Sequence, residues 1–381
     1  MPNQAALLVD ARELHHGSHA DLLTELPVPA DAAGRKLDAI IVPTAWPANA
    51  LRHAMQVGNE TGCTVVALCS RAASAERAID VADEEGAAVL AVDVKRSLAG
   101  KLPESAADVL LQRSGFGTSS DLSLKRNLGL VLARGSGWRR VLFLDDDIHI
   151  DQPKQLHQVA GLVDGYRAVG LANEGFEDNS VVCHAYRAVG GEQASFIGGG
   201  AMIVDAAQSR SFFPNIYNED WLFLLGDGVP FKAAKAGVMR QRTYDPFAKP
   251  ARAIGEELGD TLAEGLFWLL DSGEPLERAG TSYWAAALFR RRQFIDLVID
   301  MVGPDEDRHR MRRSLEAARG RSSSISYGLC QQFVELWQTD LARWRRYMGR
   351  LKPRNSPEKF LHEVGLSHHV LFSKAYLENQ R

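Results

Sequence analysis

The sequence predicts an α/β fold built on a mostly parallel sheet, followed by a helical carboxyl-terminal third. Three observations carry that expectation. From Leu37 onward, short aliphatic runs alternate with amphipathic stretches, the pattern of strand-helix units. One run, Val141 to Leu144, is followed directly by Asp145, Asp146 and Asp147, so a strand buried on both faces ends in three acids. From about residue 251 the apolar spacing is helical throughout. The organisation expected is therefore an amino-terminal extension over 1–36, an α/β region over 37–250 and a helical region over 251–381.

Taken in order, residues 26–36 (LPVPADAAGRK) read as a linker rich in Pro, Ala and Gly. Ala39 to Val42 is the first central strand, halted by Pro43. Trp46 to Gly58 has helical spacing through Leu51, Met55 and Val57, with Pro47 suited to a first turn. Thr64 to Cys69 is a second strand, Ala72 to Glu85 a helix, and Ala87 to Val94 a third strand. The loop Arg113 to Ser120 is neither GxGxxG nor followed by GK[ST], which excludes a dinucleotide fingerprint and a P-loop. Leu124, Leu128, Val131 and Leu132 lie on one face of the next helix, and Gly135 and Gly137 end it. After the acid-tipped strand come a helix over 152–163 and a strand over 168–172. Phe196 to Val204 is read as a strand interrupted by Gly198, Gly199 and Gly200, and another strand is expected around 237–242.

In the last third, Phe333, Trp337, Leu341, Trp344 and Met348 form one stripe, read as core packing. The segments PDEDRHRMRR and RGRSSS read as exposed turns. Arg290–Arg292, Arg312–Arg313 and Arg345–Arg346 read first as solvated surfaces. The sharper readings are an anionic acceptor site or a homodimer contact through these helices.

Composition narrows the classes. A formal net charge of −4 gives no bulk electrostatic case for nucleic acid. The four cysteines show no metal-ligand or disulfide spacing, which fits a reduced, cytoplasmic setting. No signal-peptide pattern opens the chain, and no apolar run approaches the ~18 residues of a membrane span. His15–His16 and His368–His369 are short pairs, read as surface rather than metal sites.

Chemistry concentrates in three places. Three adjacent carboxylates at a strand's carboxyl end, where open α/β sheets place ligands, repel one another unless a cation joins them. A hard ion such as Mg²⁺ or Mn²⁺, itself holding phosphate oxygens, is the usual solution. Asn218, Glu219 and Asp220 open a second apolar segment. Alone they would be a helix cap, but they lie just downstream of the glycine triplet, which signals close approach of backbone to a ligand. Lys125, Arg126 and Asn127 precede the acid strand and read either as a solvated helix face or as groups reaching a nucleotide.

In this order, IIVPTA, KRNLGLVLA, FLDDDI, GGG and NEDW resemble the GT-A glycosyltransferases, especially the inverting, family 2-like branch, over roughly residues 37–250. The resemblance implies a Rossmann-like fold, a nucleoside-diphosphate sugar donor (a UDP-sugar by default), a hydroxyl acceptor and a Mg²⁺ or Mn²⁺ cofactor. By position it implies that Pro43, Thr44 and Ala45 line the nucleotide pocket and that Arg126 lies near base or phosphates. Asp145, with Asp146 beside it, would face the ribose, and Asp147 would hold the metal with Asp145. Gly199 and Gly200 would border sugar and acceptor, and Asp220, with Glu219 beside it, would be the catalytic base.

The sequence departs from that family in two ways. Where it often carries an acid after the second strand, this chain has Ser70 and Arg71, and Asp93 is the candidate substitute. Asp245 is the only stand-in for a further metal ligand, and the QxxRW motif of processive enzymes is absent. Competing readings are a haloacid-dehalogenase-type phosphatase with Asp145 as nucleophile and Asp147 as general acid, a nucleotidyltransferase lacking its basic glycine loop, and a non-catalytic nucleotide-sugar-binding protein.

Overall fold

Aliphatic and β-branched runs pair into one ten-stranded sheet. A computed structural model describes residues 4–31, 34–194, 196–226, 231–304, 306–354 and 356–380. The strands are β1 (Leu23–Glu25), β2 (Ala39–Thr44), β3 (Thr64–Cys69), β4 (Val89–Asp93), β5 (Arg140–Leu144), β6 (Ile148–His149), β7 (Ala168–Asn173), β8 (Ala201–Asp205), β9 (Ala233–Gln241) and β10 (Val370–Phe372). Their order is β1-β9-β7-β8-β5-β2-β3-β4-β10, with β6 on β9. The ladders β5-β2-β3-β4 and β1-β9-β7 are parallel, whereas β8 runs antiparallel between β5 and β7. The predicted α/β class, with its helical carboxyl-terminal region, is what the chain adopts.

Both sheet faces are buried, as the uncharged strands require. Ile41, Val66, Val141 and Phe143 point into one core; Ile40, Val42, Leu142 and Leu144 point into the other. The second is covered by the helices Arg52–Thr61, Ala75–Glu85 and Leu156–Gly161. The first is covered by the helix Leu122–Ser136 and by helices from the last third. Leu262, Phe267, Phe333, Trp337 and Trp344 share that core with Ile41 and Phe143, so the helical region adds a layer to the sheet; Phe294, Ile295, Val298, Leu315 and Ala318 also form a separate core with Ala11, Val182 and Tyr186. Among the described residues no helix is long and apolar enough to cross a membrane.

Several expectations are corrected. Pro43 does not halt the first strand, which continues to Thr44. The ladder to β5 covers only Ala39–Ile41, so beyond Ile41 that side has no partner and a residue lacking an N–H fits. The glycine triplet lies before β8, not inside it, because the strand starts at Ala201. Gly135 sits within its helix, with the Phe360 ring packed where a side chain would be; Gly137, at φ 81°, makes the left-handed cap. In PDEDRHRMRR, Asp305 lies outside the described residues and Glu306–Arg308 make a 3-10 turn, but His309–Arg313 and RGRSSS are not turns: they are the two ends of the helix His309–Ser324. The helix Val181–Ala188 was not foreseen.

The amino-terminal extension is also more than a preface. It forms the helix Gln4–Leu14 and supplies β1 to the sheet edge. Ala32 and Ala33 of the expected linker lie outside the described residues. Arg291 is not solvated: it is buried, bonded to Glu257 (3.0 and 2.8 Å) and to Asp260 (2.6 Å). Arg292 donates to the carbonyls of Ser322 and Ile325, and Arg345 to that of Gly226.

Candidate functional site

The helix Leu122–Ser136 runs beneath the carboxyl ends of β2, β3 and β5, and its KRN triplet is buried, contrary to the solvated-face reading. Each member has a separate task. Lys125 Nζ donates to the Thr44 carbonyl (2.8 Å) and Ser70 Oγ (2.6 Å) and pairs with Asp121 (3.0 Å), tying together the ends of β2 and β3. Asn127 holds both the N–H and the C=O of Phe213 at 2.8 Å. Arg126 donates through Nη2 to both oxygens of Asp145 (3.0 and 2.9 Å) and through Nη1 to Glu219 Oε1 (2.5 Å).

Arg126 thus joins the two acidic motifs. Asp220, next to Glu219 at the start of the helix Glu219–Leu225, accepts from the Gly199 N–H at 2.6 Å. Asp145, Asp178, Gly198–Gly200, Glu219 and Asp220 border one cavity of about 180 Å³, to which Asp260 and Glu264 of the helix Pro250–Asp271 contribute a wall. The glycine triplet is legible in this geometry. A side chain at 199 would collide with the Arg126 guanidinium, and one at 198 would come within 2.7 Å of Asp178 Oδ2. Gly199→Ala is expected to lose about 1–3 kcal/mol of stability, because three bonds to two acids pin Arg126 in place. Urea midpoints check this; Gly100→Ala, which meets nothing within 4 Å, should stay near wild type. An equal, negligible effect at both positions would contradict the packing described.

One guanidinium faces three carboxylates. Burial, against the pull of Arg126, raises Glu219 to about 8, with Asp220 adding to the rise. Burial raises Asp220 as well, against Arg126 and the Gly199 N–H. Removal from water, then the charges of Asp145 and Asp146, lift Asp147 to about 6. Asp146 is raised by burial although it accepts from Thr44 Oγ1 at 2.5 Å. Asp178, which the sequence reading missed, is open to the cavity, yet crowding by protein and the charges of Asp220, Asp145 and Asp147 push it up to about 7. No pattern around DNS announces that role.

The remaining expected residues fall as follows. Pro43, Thr44, Ala45 and Ser70 lie together at the carboxyl edge of β2 and β3, where Ser70 N–H donates to the Thr44 carbonyl and Ala72 N–H to that of Ala45. Asp93 accepts from Ala75 N–H at 2.7 Å and so serves the start of the helix Ala75–Glu85. Asp145 is occupied by Arg126, and Asp245 pairs with Arg310 (2.5 Å) on the surface. Asp145, Asp147 and Asp245 therefore do not converge within 4.8 Å as a ligand set. Among the described residues, two non-glycine residues take left-handed backbone, Arg71 (φ 57°) and Asn218 (φ 59°); each adjoins a proposed binding edge, where such strain tends to collect.

Fold and site define an α/β protein with an acid-lined cleft at the carboxyl edge of its sheet. No family model matches the chain, and no curated protein matches it. Similar solved structures include the mannosyltransferase PcManGT from Pyrobaculum calidifontis in complex with GDP-Man and Mn²⁺, with a TM-score of 0.42 and 12% identity over 100% of each chain. At that score and identity, neither fold nor chemistry passes from one protein to the other.

Proposed function

We propose that the chain is a metal-dependent glycosyltransferase of the GT-A type, moving a sugar from a nucleoside-diphosphate donor to a hydroxyl, with inversion. One observation carries the reading: Arg126 ties Asp145 to Glu219, so two acidic motifs far apart in sequence border the same cavity.

The donor's nucleotide would lie over Pro43, Thr44, Ala45 and Ser70, an edge kept rigid by Lys125. Trp46 follows directly and is 67% exposed, offering a stacking face for the base. Trp46→Ala is expected to weaken nucleotide binding by about 1–3 kcal/mol, the usual worth of one aromatic–base stack. Calorimetric titration with nucleoside diphosphates measures this, and unchanged affinity removes Trp46 from the pocket.

The residues fit a hard divalent ion. Asp147 and Asp178 have no ion-pair partner among the described residues, and the charge of Asp147 raises Asp178. Carboxylate oxygens are the donors Mg²⁺ and Mn²⁺ prefer. Asp147 would hold the ion with Asp178 nearby, while Asp145 stays with Arg126. When bound, the ion supplies positive charge for a departing diphosphate. Asp220 then receives the acceptor's proton, since an alcohol is too weak an acid to lose it unaided. Its one oxygen is held by Gly199 N–H, which orients the carboxylate.

Asp147→Asn removes a charge that has no ion-pair partner among the described residues and is crowded by Asp145 and Asp146. The metal-free variant is expected to melt above wild type at pH 8, while losing the rise in melting temperature that Mn²⁺ gives wild type. A lower melting point without metal, or an undiminished Mn²⁺ response, would count against this assignment. The proposal as a whole is tested by a donor screen: nucleotide sugars with and without Mn²⁺, followed by thermal shift, since a ligand selective for the native state raises stability. Stabilisation by a nucleoside diphosphate only with metal is expected. Phosphate release from phosphomonoesters with no response to any nucleotide would favour the phosphatase reading.

A further inference from the structure

The amino-terminal segment His15-His16-Gly17-Ser18-His19 leaves the helix Gln4–Leu14 and is pinned on both sides. Ala194 N–H donates to the Gly17 carbonyl at 2.9 Å, and the Glu192 carbonyl packs where a side chain at 17 would be. Three ligand atoms converge there: His16 Nδ1, His19 Nδ1 and a carboxylate oxygen of Asp271. The expectation that the His15–His16 pair is surface is therefore wrong; His15 and His19 are buried and His16 is half-buried.

Several features of this cluster point to an ion. His16 Nδ1 is a buried nitrogen with no hydrogen-bond partner, 3.6 Å from Asp271 Oδ2. Ligands at about 2.0–2.1 Å from a tetrahedral ion stand roughly 3.3 Å apart, close to that separation, whereas His19 Nδ1, in direct contact with Asp271 Oδ2, would have to part from it to admit an ion. The His16 and His19 rings are stacked, with centroids 4.8 Å apart and planes 4° from parallel, so both present Nδ1 to the same carboxylate. The far nitrogen of His19, Nε2, lies 3.0 Å from Glu264 Oε2, the carboxylate–histidine arrangement that orients a metal-binding imidazole. Asp271 is the last residue of its helix, where the dipole's negative end favours a cation, and its Oδ2 is shared between His19 Nδ1, in direct contact, and His16 Nδ1. Phe196, Trp221 and Phe267 pack around His19, and Trp268 meets His16 edge-on, giving the cluster an apolar shell.

We propose that His16, His19 and Asp271 bind a divalent transition-metal ion of the zinc class, which fastens the amino-terminal segment to the helix Pro250–Asp271 beside the cleft. Two imidazole nitrogens and one carboxylate suit such an ion better than Mg²⁺ or Ca²⁺. The adjacent buried group, His15, Cys183 and Glu264, differs in that His15 Nε2 is bonded to Gln193 Oε1 at 2.5 Å and is not among the buried atoms left without a partner, as His16 Nδ1 is. The site adjoins the acid-lined cleft through Glu264, but His16, His19 and Asp271 themselves do not line that cavity.

The test uses the full chain, stripped with chelator and titrated with Co²⁺ while its visible d–d absorption is followed. One equivalent is expected to give the intense band of a four-coordinate site containing nitrogen, displaced by Zn²⁺. His16→Ala, whose ring is half-buried and whose fold is checked by circular dichroism, should weaken binding at least roughly 100-fold, beyond what loss of an outer partner costs. Asp271→Asn should do the same, and Asp147→Asn should leave the band unchanged. Absence of any band, survival of the band in His16→Ala, or its loss in Asp147→Asn would overturn the proposal. The first of those outcomes would mean that a proton on His19, shared with Asp271 and Glu264, fills the role instead.

Discussion

Replacing Arg126 with methionine is expected to cost about 3–5 kcal/mol of stability, the loss typical of breaking a buried ion pair from one side. Methionine fills most of the space but leaves Asp145, Glu219 and Asp220 crowded together with no cation among them. Glu219 and Asp220, already raised by burial, then favour their protonated forms more strongly in the folded variant. In the unfolded chain the same acids release their protons above about pH 4, so the unfolded state binds fewer protons across the neutral range. Stability of the variant therefore falls as pH rises, and the deficit against wild type should be larger at pH 8 than at pH 5.5. Guanidinium denaturation at the two pH values measures this. Arg126→Lys should rescue only partly, because an ammonium cannot make the two-oxygen fork to Asp145 while also reaching Glu219. A fully stable, pH-indifferent methionine variant would mean that Arg126 does not hold the two motifs together.

Asp220→Asn should lower turnover by about 10²–10⁴-fold, the range for losing a positioned general base. Donor binding should persist, because the amide oxygen can still accept from Gly199 N–H. The variant should also be as stable as wild type or more so, since it removes one of three acids competing for a single guanidinium. Burial raises Asp220, and only its ionised form accepts a proton, so wild-type rate should climb with pH through its titration. That limb should vanish in the variant. Steady-state rates across pH, with donor affinity measured separately, distinguish a base from a merely structural acid. Unimpaired turnover would leave Asp178, on the same cavity, as the remaining free carboxylate for the task.

Much of this was legible in the residues. Thr64–Cys69 is a strand with the bounds the pattern suggests, and Leu144 hands directly to the three aspartates. Local alternation suffices there, because an uncharged aliphatic run can be buried on both faces in few other ways. The acidic motifs and the glycine triplet could be singled out, but the partners of Arg126 could not. Asp145 and Glu219 lie 19 and 93 residues beyond it in sequence, and only the packing of the helix Leu122–Ser136 against β2 and β3 brings the three together. Asp178 carried no signal at all, since its significance comes from Gly198 opposite it.

Sequence alone determined the class of fold, the sheet's hydrophobic strands and the two clusters of acids, because periodicity and charge are properties of neighbours along the chain. Tertiary structure decided which acids are free and which are spent: Asp145 on Arg126, Asp93 on a helix start, Asp245 on Arg310, with Asp147 and Asp178 left over. It also decided that an amino-terminal run of histidines meets Asp271, about 250 residues later in the sequence. The physical reason is that a buried charge must find its counter-charge in space, and which one it finds depends on how the layers pack.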